Sequence, residues 1–166
     1  CFREINLYLP ALENFSLVER LKATEDLNLW RIMNMLKLTT PCFVEGGWIP
    51  DYNAGFGEDQ SPEFLIEGIA QKAETRVITL DDLGHPLEPG YNHWVAWNIK
   101  PADCIPGGIP KGSVIETPIH IEQGIAYGKH CYRGPKPPFN WNHEYLFTLY
   151  TLDCTLEAEV KKRRYP

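Results

Sequence analysis

Apolar and polar residues alternate along the chain with frequent breaks, and this pattern predicts a protein built mainly of β-strands. Segments 76–80, 91–99 and 143–152 are rich in β-branched and aromatic residues, as buried strands are. Glycine and proline interrupt the chain between them, most densely at 101–112 and 132–142, where neither a helix nor an inner strand can continue. Short strands with such punctuation are typical of an antiparallel β-sandwich.

One segment near the start has the pattern of an amphipathic helix instead. Ser16 and Glu19 fit a capping box, in which each side chain satisfies a free backbone N–H of the first turn. Four apolar residues then recur at helical spacing: Leu29, Ile32, Met33 and Leu36. We predict a helix from about residue 17 to the mid-30s, and we divide the chain into an N-terminal extension, 1–34, and a β-sandwich domain, 35–166.

The composition is that of an acidic protein with one sizeable core. The 166 residues include 43% hydrophobic residues and carry a formal net charge of −6. This charge disfavours nucleic acid and anionic membrane surfaces as general partners. No apolar run approaches the roughly 18–20 residues of a membrane span, so stable membrane insertion is not expected.

The five cysteines favour a reducing compartment. They are odd in number and form no close C-x-x-C pair, which argues against a disulfide framework and a zinc knuckle. We therefore expect a cytoplasmic protein. Cys1 leaves an alternative, because the sequence could be a fragment, a processed form or a mature lipoprotein, and a processed start would make the protein an exported one.

Four short motifs follow one another around two histidines. They are DLGHP at 82–86, HWVAWN at 93–98, YRGPKPP at 132–138 and HEY at 143–145. In order and spacing they resemble the phosphatidylethanolamine-binding protein family, in its bacterial Raf-kinase-inhibitor-like branch, over about residues 36–153. There a D-P-D-x-P turn, an H-W/F-x-x-x-N strand, a Y-x-G-P-x-P-P loop and an H-x-Y strand build one anion-binding pocket. In this chain Leu83 and Gly84 replace the proline and the second aspartate of the turn.

The resemblance implies the same β-sandwich fold and one ligand pocket. Its ligand-binding residues would be Asp82, His93, Gly134, Pro135, His143 and Tyr145. Imidazole N–H groups can donate to a phosphate-like anion, and backbone N–H groups of a glycine loop can add donors. A carboxylate nearby orients a histidine or raises its pKa and so favours its charged form, and we expect Asp82 within hydrogen-bonding reach of His93 or of its backbone neighbours.

We therefore predict a module that binds a small anion, phosphate or a phosphorylated headgroup, between His93 and His143, without a cofactor or a metal. The inhibitor name of the family branch implies a protein partner, such as a kinase or a protease. The alternative is a hydrolase or metal-dependent enzyme, because one aspartate and two histidines also form a metal-ligand or general-base set. Cys131 could be a nucleophile in that case, or simply a buried cysteine. We favour the binding module because no nucleophile elbow is present.

Several neighbouring residues are expected to serve structure rather than binding. Asp59 and Ser61 resemble the family's G-x-D/N-x-S-P turn and should bond within their own turn. Tyr91 and Trp94 are expected to form the pocket wall or the core. Arg133 and Lys136, which flank Gly134, are expected to be solvated.

The chain departs from the family after Asp153. Relatives carry a helix of roughly three turns there, whereas here residues 154–155 lead directly into 156–160, which resembles the family's closing strand. The lost helix would leave apolar surface bare. We expect the predicted N-terminal helix to cover it, either within one chain or by exchange between two chains of a homodimer.

Overall fold

The computed structural model describes residues 36–68, 73–86, 90–138 and 141–157. Ten strands and one short 3₁₀ helix lie within them: β1 (Lys37–Thr39), the 3₁₀ helix (Asp51–Asn53), β2 (Phe64–Glu67), β3 (Thr75–Asp82), β4 (Tyr91–Ile99), β5 (Cys104–Ile105), β6 (Val114–Ile115), β7 (Ile121–Gln123), β8 (Ile125–Ala126), β9 (Lys129–His130) and β10 (Tyr145–Leu152). No helix within these residues has the length and apolarity needed to cross a membrane. The predicted N-terminal helix lies outside the described residues, apart from the buried Leu36.

The strands form two main antiparallel sheets and a small hairpin. The smaller sheet has the order β1-β2-β5, the larger one β10-β3-β4-β7-β6, and β8 pairs with β9. One apolar core joins the two main sheets, and the rings of Phe64 on β2 and Phe147 on β10 meet with their centroids 4.9 Å apart. Each such buried side chain contributes roughly 1.5–3 kcal/mol of transfer free energy. The predicted mainly β, antiparallel fold is confirmed.

Strand β3 places one of its two terminal aspartates on the core face. Ile78, Leu80 and Asp82 are buried, while the residues between them are half-buried, as the two-residue period of a strand requires. Asp81 points to the other face, where its carboxylate accepts hydrogen bonds from Thr79 and Asn92. The core face of β3 therefore ends in a carboxylate.

The pairing of strand β4 with β3 shifts register twice, once at His93 and once near Asn98. Leu80 pairs with Trp94 while Asp81 pairs with Asn92, so His93 is an extra residue opposite β3. A bulge of this kind re-aims side chains, and both His93 and Trp94 are buried as a result. The second shift lies near Asn98, whose φ of 53° is in the left-handed region that asparagine tolerates.

Asn98 also holds the last described segment. Its side-chain amide donates to the carbonyl of Leu156 at 2.9 Å, and its side-chain oxygen accepts from the Leu156 N–H at 2.8 Å. Residues 153–157 form neither a helix nor a strand. The missing late helix is thus confirmed for these residues, whereas most of the predicted closing strand, 158–160, lies outside the described part of the chain.

Candidate functional site

Asp82 is the centre of a buried polar cluster. The residue is 2% exposed, and its Oδ2 and Oδ1 lie 2.8 and 3.1 Å from Nδ1 of His143. The backbone N–H of Gly84 donates to Oδ1 at 2.9 Å. His93 or its backbone neighbours were the expected partners, and Nε2 of His93 lies 3.8 Å from Oδ2, beyond hydrogen-bonding distance. The carboxylate therefore orients His143 directly, because the turn after β3 runs beside the start of β10.

The turn after β3 is closely fitted to His143. Asp82 and Tyr145 are opposite each other in the ladder of β3 and β10, and the Leu83 N–H extends the pairing to the Glu144 carbonyl. A Cβ atom added to Gly84 would lie 3.1 Å from Cα, Cβ and Cγ of His143, tighter than ordinary contact. Glycine in place of the family's acidic residue thus allows the turn to pack against the histidine.

His93 is held at both ring nitrogens. Its Nδ1 lies 2.9 Å from the Arg133 carbonyl oxygen, and its Nε2 lies 3.1 Å from the Tyr127 hydroxyl. Burial lowers the pKa of His93, although the Arg133 carbonyl and the Asp82 carboxylate act in the opposite direction. The neutral ring is therefore favoured near pH 7.

Tyr145 completes the cluster beside both histidines. Its ring centroid is 5.2 Å from that of His93, edge to face, and 6.3 Å from that of His143. Burial, followed by the Asp82 carboxylate with which its hydroxyl interacts, raises the pKa of Tyr145. The hydroxyl therefore stays protonated and remains a hydrogen-bond donor.

Tyr127 belongs to the same cluster, and the sequence analysis missed it. It lies in the two-residue turn between β8 and β9, where φ is 50° at Tyr127 and 79° at Gly128. Both values are positive, as a type I′ hairpin turn requires, although an aromatic residue rarely adopts that conformation. Such strain often marks functional positions. The only sequence signal was a Tyr-Gly pair between two short strands.

Aromatic rings line one side of this cluster. The Tyr91 ring lies 6.1 Å from His93 and 5.1 Å from Tyr127, and it stacks on His85 at 4.7 Å. Trp94 is fully buried in the core, where its Nε1 donates to Gln123. Tyr91 is therefore a wall residue and Trp94 a core residue, both within the range expected for them.

The Gly134–Pro135 loop approaches the cluster, but its glycine N–H is already used. The Gly134 N–H donates to Oδ1 of Asp59 at 2.6 Å, and the same carboxylate pairs with the Arg133 guanidinium. A Cβ added to Gly134 would lie 2.3 Å from the Asn53 carbonyl oxygen, so only glycine fits there. The expectation of a free Gly134 N–H for an anion is wrong, because Asp59 takes that donor.

Asp59 and Ser61 were expected to bond within their own turn, but both bond residues far away in the sequence. Asp59 bonds a segment more than 70 residues away rather than its own turn, and Ser61 Oγ accepts the N–H of Ile109. Arg133 is ion-paired rather than solvated. It also exchanges two bonds with His93, since its N–H donates to the His93 carbonyl and its carbonyl accepts from His93 Nδ1. Asp59 therefore fixes the loop that fixes His93.

Comparison with known proteins decides the family. The family model described as phosphatidylethanolamine-binding protein matches residues 39–165 of the 166. The chain belongs to the phosphatidylethanolamine-binding protein family. It is 42% identical over 124 residues to a UPF0098 protein of Pyrococcus abyssi, covering 74% of this chain and 68% of that protein. It is 40% identical over 119 residues to a UPF0098 protein of Pyrococcus horikoshii, covering 70% of this chain and 60% of that protein.

Solved structures agree with this assignment. The crystal structure of a proposed phosphatidylethanolamine-binding protein homologue from Chlamydia trachomatis superimposes with a TM-score of 0.65 at 28% identity. The match covers 76% of this chain and 80% of that one. The similar proteins therefore come from archaea as well as bacteria.

Two features concern the alternative that this member of the phosphatidylethanolamine-binding protein family is an enzyme: the arrangement of possible metal ligands and the surroundings of Cys131. Among the described residues, no set of three His, Cys, Asp or Glu side chains is arranged to hold a metal ion. Cys131 is buried, and burial raises the pKa of its thiol, although Lys111, Arg133 and Lys129 act in the opposite direction. A raised pKa disfavours the nucleophilic thiolate, so the buried-cysteine interpretation fits Cys131 better.

Proposed function

We propose that the chain binds a small anion, phosphate or a phosphate-bearing headgroup, at the cluster formed by Asp82, His93, Tyr127, His143 and Tyr145. Membership of the phosphatidylethanolamine-binding protein family supports a ligand-binding role. Regulation of a protein partner, such as a kinase or a protease, belongs to the same proposal and rests on the resemblance.

One observation carries the proposal most directly. His143 is 4% exposed, and its Nε2 has no hydrogen-bond partner among the described residues. A buried polar nitrogen left in this condition is unfavourable unless a ligand or water satisfies it. Tyr145 lies beside this ring and its hydroxyl interacts with Asp82, so the ligand contact of the proposal is His143 Nε2.

Isothermal titration with inorganic phosphate and with glycerophosphoethanolamine tests the proposal. We expect both probes to bind, and we expect His143→Ala to lower the affinity at least tenfold, about 1.4 kcal/mol, because a recognition group is lost. His120→Ala is the matched control, since His120 also faces a carboxylate, that of Glu116, but at the surface. Failure of both probes to bind the wild-type protein would overturn the proposal.

The His143→Ala variant also needs a stability check. The His143 side chain is buried against Asp82, so its removal affects the core as well as the site. Alanine removes a donor to a buried carboxylate, which costs on the order of 1–3 kcal/mol. Titrations should therefore be made well below the melting temperature of the variant, with His143→Gln as a less disruptive second substitution.

A further inference from the structure

Both histidines of the cluster carry a proton on Nδ1. His93 Nδ1 faces the Arg133 carbonyl at 2.9 Å, and His143 Nδ1 faces the Asp82 carboxylate at 2.8 Å. Both partners can only accept hydrogen bonds, so each Nδ1 must be the donor. Any change in the charge of either ring therefore takes place at Nε2.

The two Nε2 atoms are in different situations. His93 Nε2 has the Tyr127 hydroxyl at 3.1 Å, which can donate to it while the ring is neutral. His143 Nε2 is one of three buried side-chain polar atoms without a partner among the described residues, and the one that lies in this cluster. A ligand atom bound at His143 Nε2 therefore displaces no described hydrogen bond, whereas one bound at His93 Nε2 must compete with Tyr127.

The charges around the cluster oppose an anion unless a proton is added. With both rings neutral, Asp82 gives the cluster a negative charge. Arg133 is paired with Asp59, and His85 stacks on the outer face of Tyr91. Lys136 is exposed and lies over the Phe56 ring, 5.8 Å from its centroid. One proton at His143 Nε2 would neutralise the cluster and turn an acceptor into a donor.

Among the described residues that surround the His143 ring, one charged side chain, that of Asp82, contacts it. Asp82 faces Nδ1, the Tyr145 ring stacks at 6.3 Å, and the Trp141 ring lies 6.5 Å away. Gly84 contributes only backbone against the ring. The proton balance of the ligand contact is thus set by Asp82, His143 and the ligand.

We propose that a phosphate group binds together with one proton, which lies between His143 Nε2 and a ligand oxygen, while His93 stays neutral and positions the loop. This inference rests on the proposed function and deepens it. A phosphate monoester can bring the proton as its own P–OH group, since its second pKa is about 6, and inorganic phosphate can do so as the dihydrogen anion. A phosphodiester cannot, so the same bound state then requires a proton from solvent.

Calorimetry on the full chain can count this proton. Dimethyl phosphate has no ionisable proton near neutral pH, so its binding should take up about one proton per ligand once the free ring is neutral, as measured in buffers of different ionisation enthalpy. Its affinity should then fall by about tenfold for each further pH unit. Inorganic phosphate should take up less from the buffer. Binding of inorganic phosphate alone, with the same loss of affinity at high pH, would support the proposal and assign the proton to the ligand.

Histidine ring ¹⁵N spectra identify which ring carries the proton. We expect the His143 Nε2 signal to change from an unprotonated to a protonated type when dimethyl phosphate is added, while His93 Nε2 stays unprotonated. The His143→Gln variant should lose proton uptake, and His120→Gln should keep it. If His143→Gln fails to fold, the wild-type spectra still decide the question.

The two proposals can fail separately. Phosphate binding with an affinity independent of pH, or with the charge appearing on His93, would overturn the proton-linked contact and leave the anion site standing. Absence of binding by inorganic phosphate, glycerophosphoethanolamine and dimethyl phosphate would overturn the proposed function and this contact with it.

Discussion

His93 and His143 lie beside the same carboxylate, but their surroundings give them different tasks. His93 is bonded at both ring nitrogens, and its backbone also accepts the Arg133 N–H. His143 is bonded at one nitrogen only among the described residues. The first ring therefore belongs to the framework, and the second is the group with bonding capacity left for a ligand.

Acid should destabilise the protein through His93. Burial lowers the pKa of His93 in the folded state, whereas the unfolded chain has the ordinary value of about 6.5. The unfolded state binds more protons between these two values, so the free energy of unfolding falls as the pH falls from about 6.5 to the lowered pKa. Each unit of pKa difference contributes about 1.4 kcal/mol. Urea denaturation at about pH 7.5 and pH 5 should show the loss.

The contribution of His93 can be separated by substitution. His93→Gln keeps a polar side chain but cannot titrate, so its free energy of unfolding should depend less on pH over the same interval. His120→Gln, at the surface, should keep the wild-type dependence. Equal slopes in His93→Gln and the wild-type protein would contradict the assignment to His93.

Among the elements, strands were the most predictable part of this chain and loops the least. The pattern of apolar residues located β3, β4 and β10 closely, because buried strands need such residues along most of their length. Asp82 was expected in the pocket from the resemblance to the family, and the two-residue period of β3 puts it on the core face. The bulge at His93 was not predictable, since it depends on the register between two strands rather than on either sequence alone.

The contacts between loops were beyond sequence reasoning for the same reason. Asp59 meets Arg133 and Gly134 only because two segments distant in the sequence converge in the folded chain. Tyr127 reaches His93 through a left-handed turn that its residue type disfavours. The motifs located most of the candidate site, and the fold determined which donors remain available in it.

The loop contact of Asp59 can be tested by removing its charge. Asp59→Asn should weaken its bonds to Arg133 and Gly134 and lower the free energy of unfolding by about 1–3 kcal/mol. The ring signals of His93 should shift as well, because Arg133 exchanges two hydrogen bonds with that residue. Urea denaturation and histidine NMR measure the two effects.

A nearby carboxylate supplies the comparison. Asp51 is exposed in the 3₁₀ helix of the same segment, so Asp51→Asn should change the free energy of unfolding by less than about 0.5 kcal/mol. A loss of stability in Asp59→Asn without any shift of the His93 signals would mean that the loop does not position the histidine.

At the scale of the whole molecule, apolar side chains remain on the surface of one segment. Val44, Trp48 and Phe56 are 75%, 62% and 63% exposed. We propose that the predicted N-terminal helix covers apolar surface of the domain, within one chain or by exchange in a homodimer. Leu36 is already buried in the core, and burying the other three, Leu29, Ile32 and Met33, would contribute roughly 4.5–9 kcal/mol before the entropy cost is subtracted.

Deleting residues 1–34 tests this proposal. The truncated protein should melt at a lower temperature or aggregate, because apolar surface would lose its cover. Removal of residues 161–166, a short segment that begins with four basic residues, is the control and should leave the melting temperature unchanged. Light scattering of the full chain would show whether two copies associate. A truncated protein that stays soluble with unchanged melting would rule the proposal out.

The amide of Asn98 offers Leu156 one donor and one acceptor, as a neighbouring strand would. Asn98 thus holds the segment around Leu156 through its main chain, and Leu156 is 37% exposed. We expect Leu156→Ser to change the free energy of unfolding by less than about 0.5 kcal/mol, and Leu156→Pro, which lacks the N–H, to cost about 1–3 kcal/mol. Urea denaturation would show the difference, and equal losses would contradict it. The side chain at position 156 can therefore change during evolution while the path of the backbone stays the same.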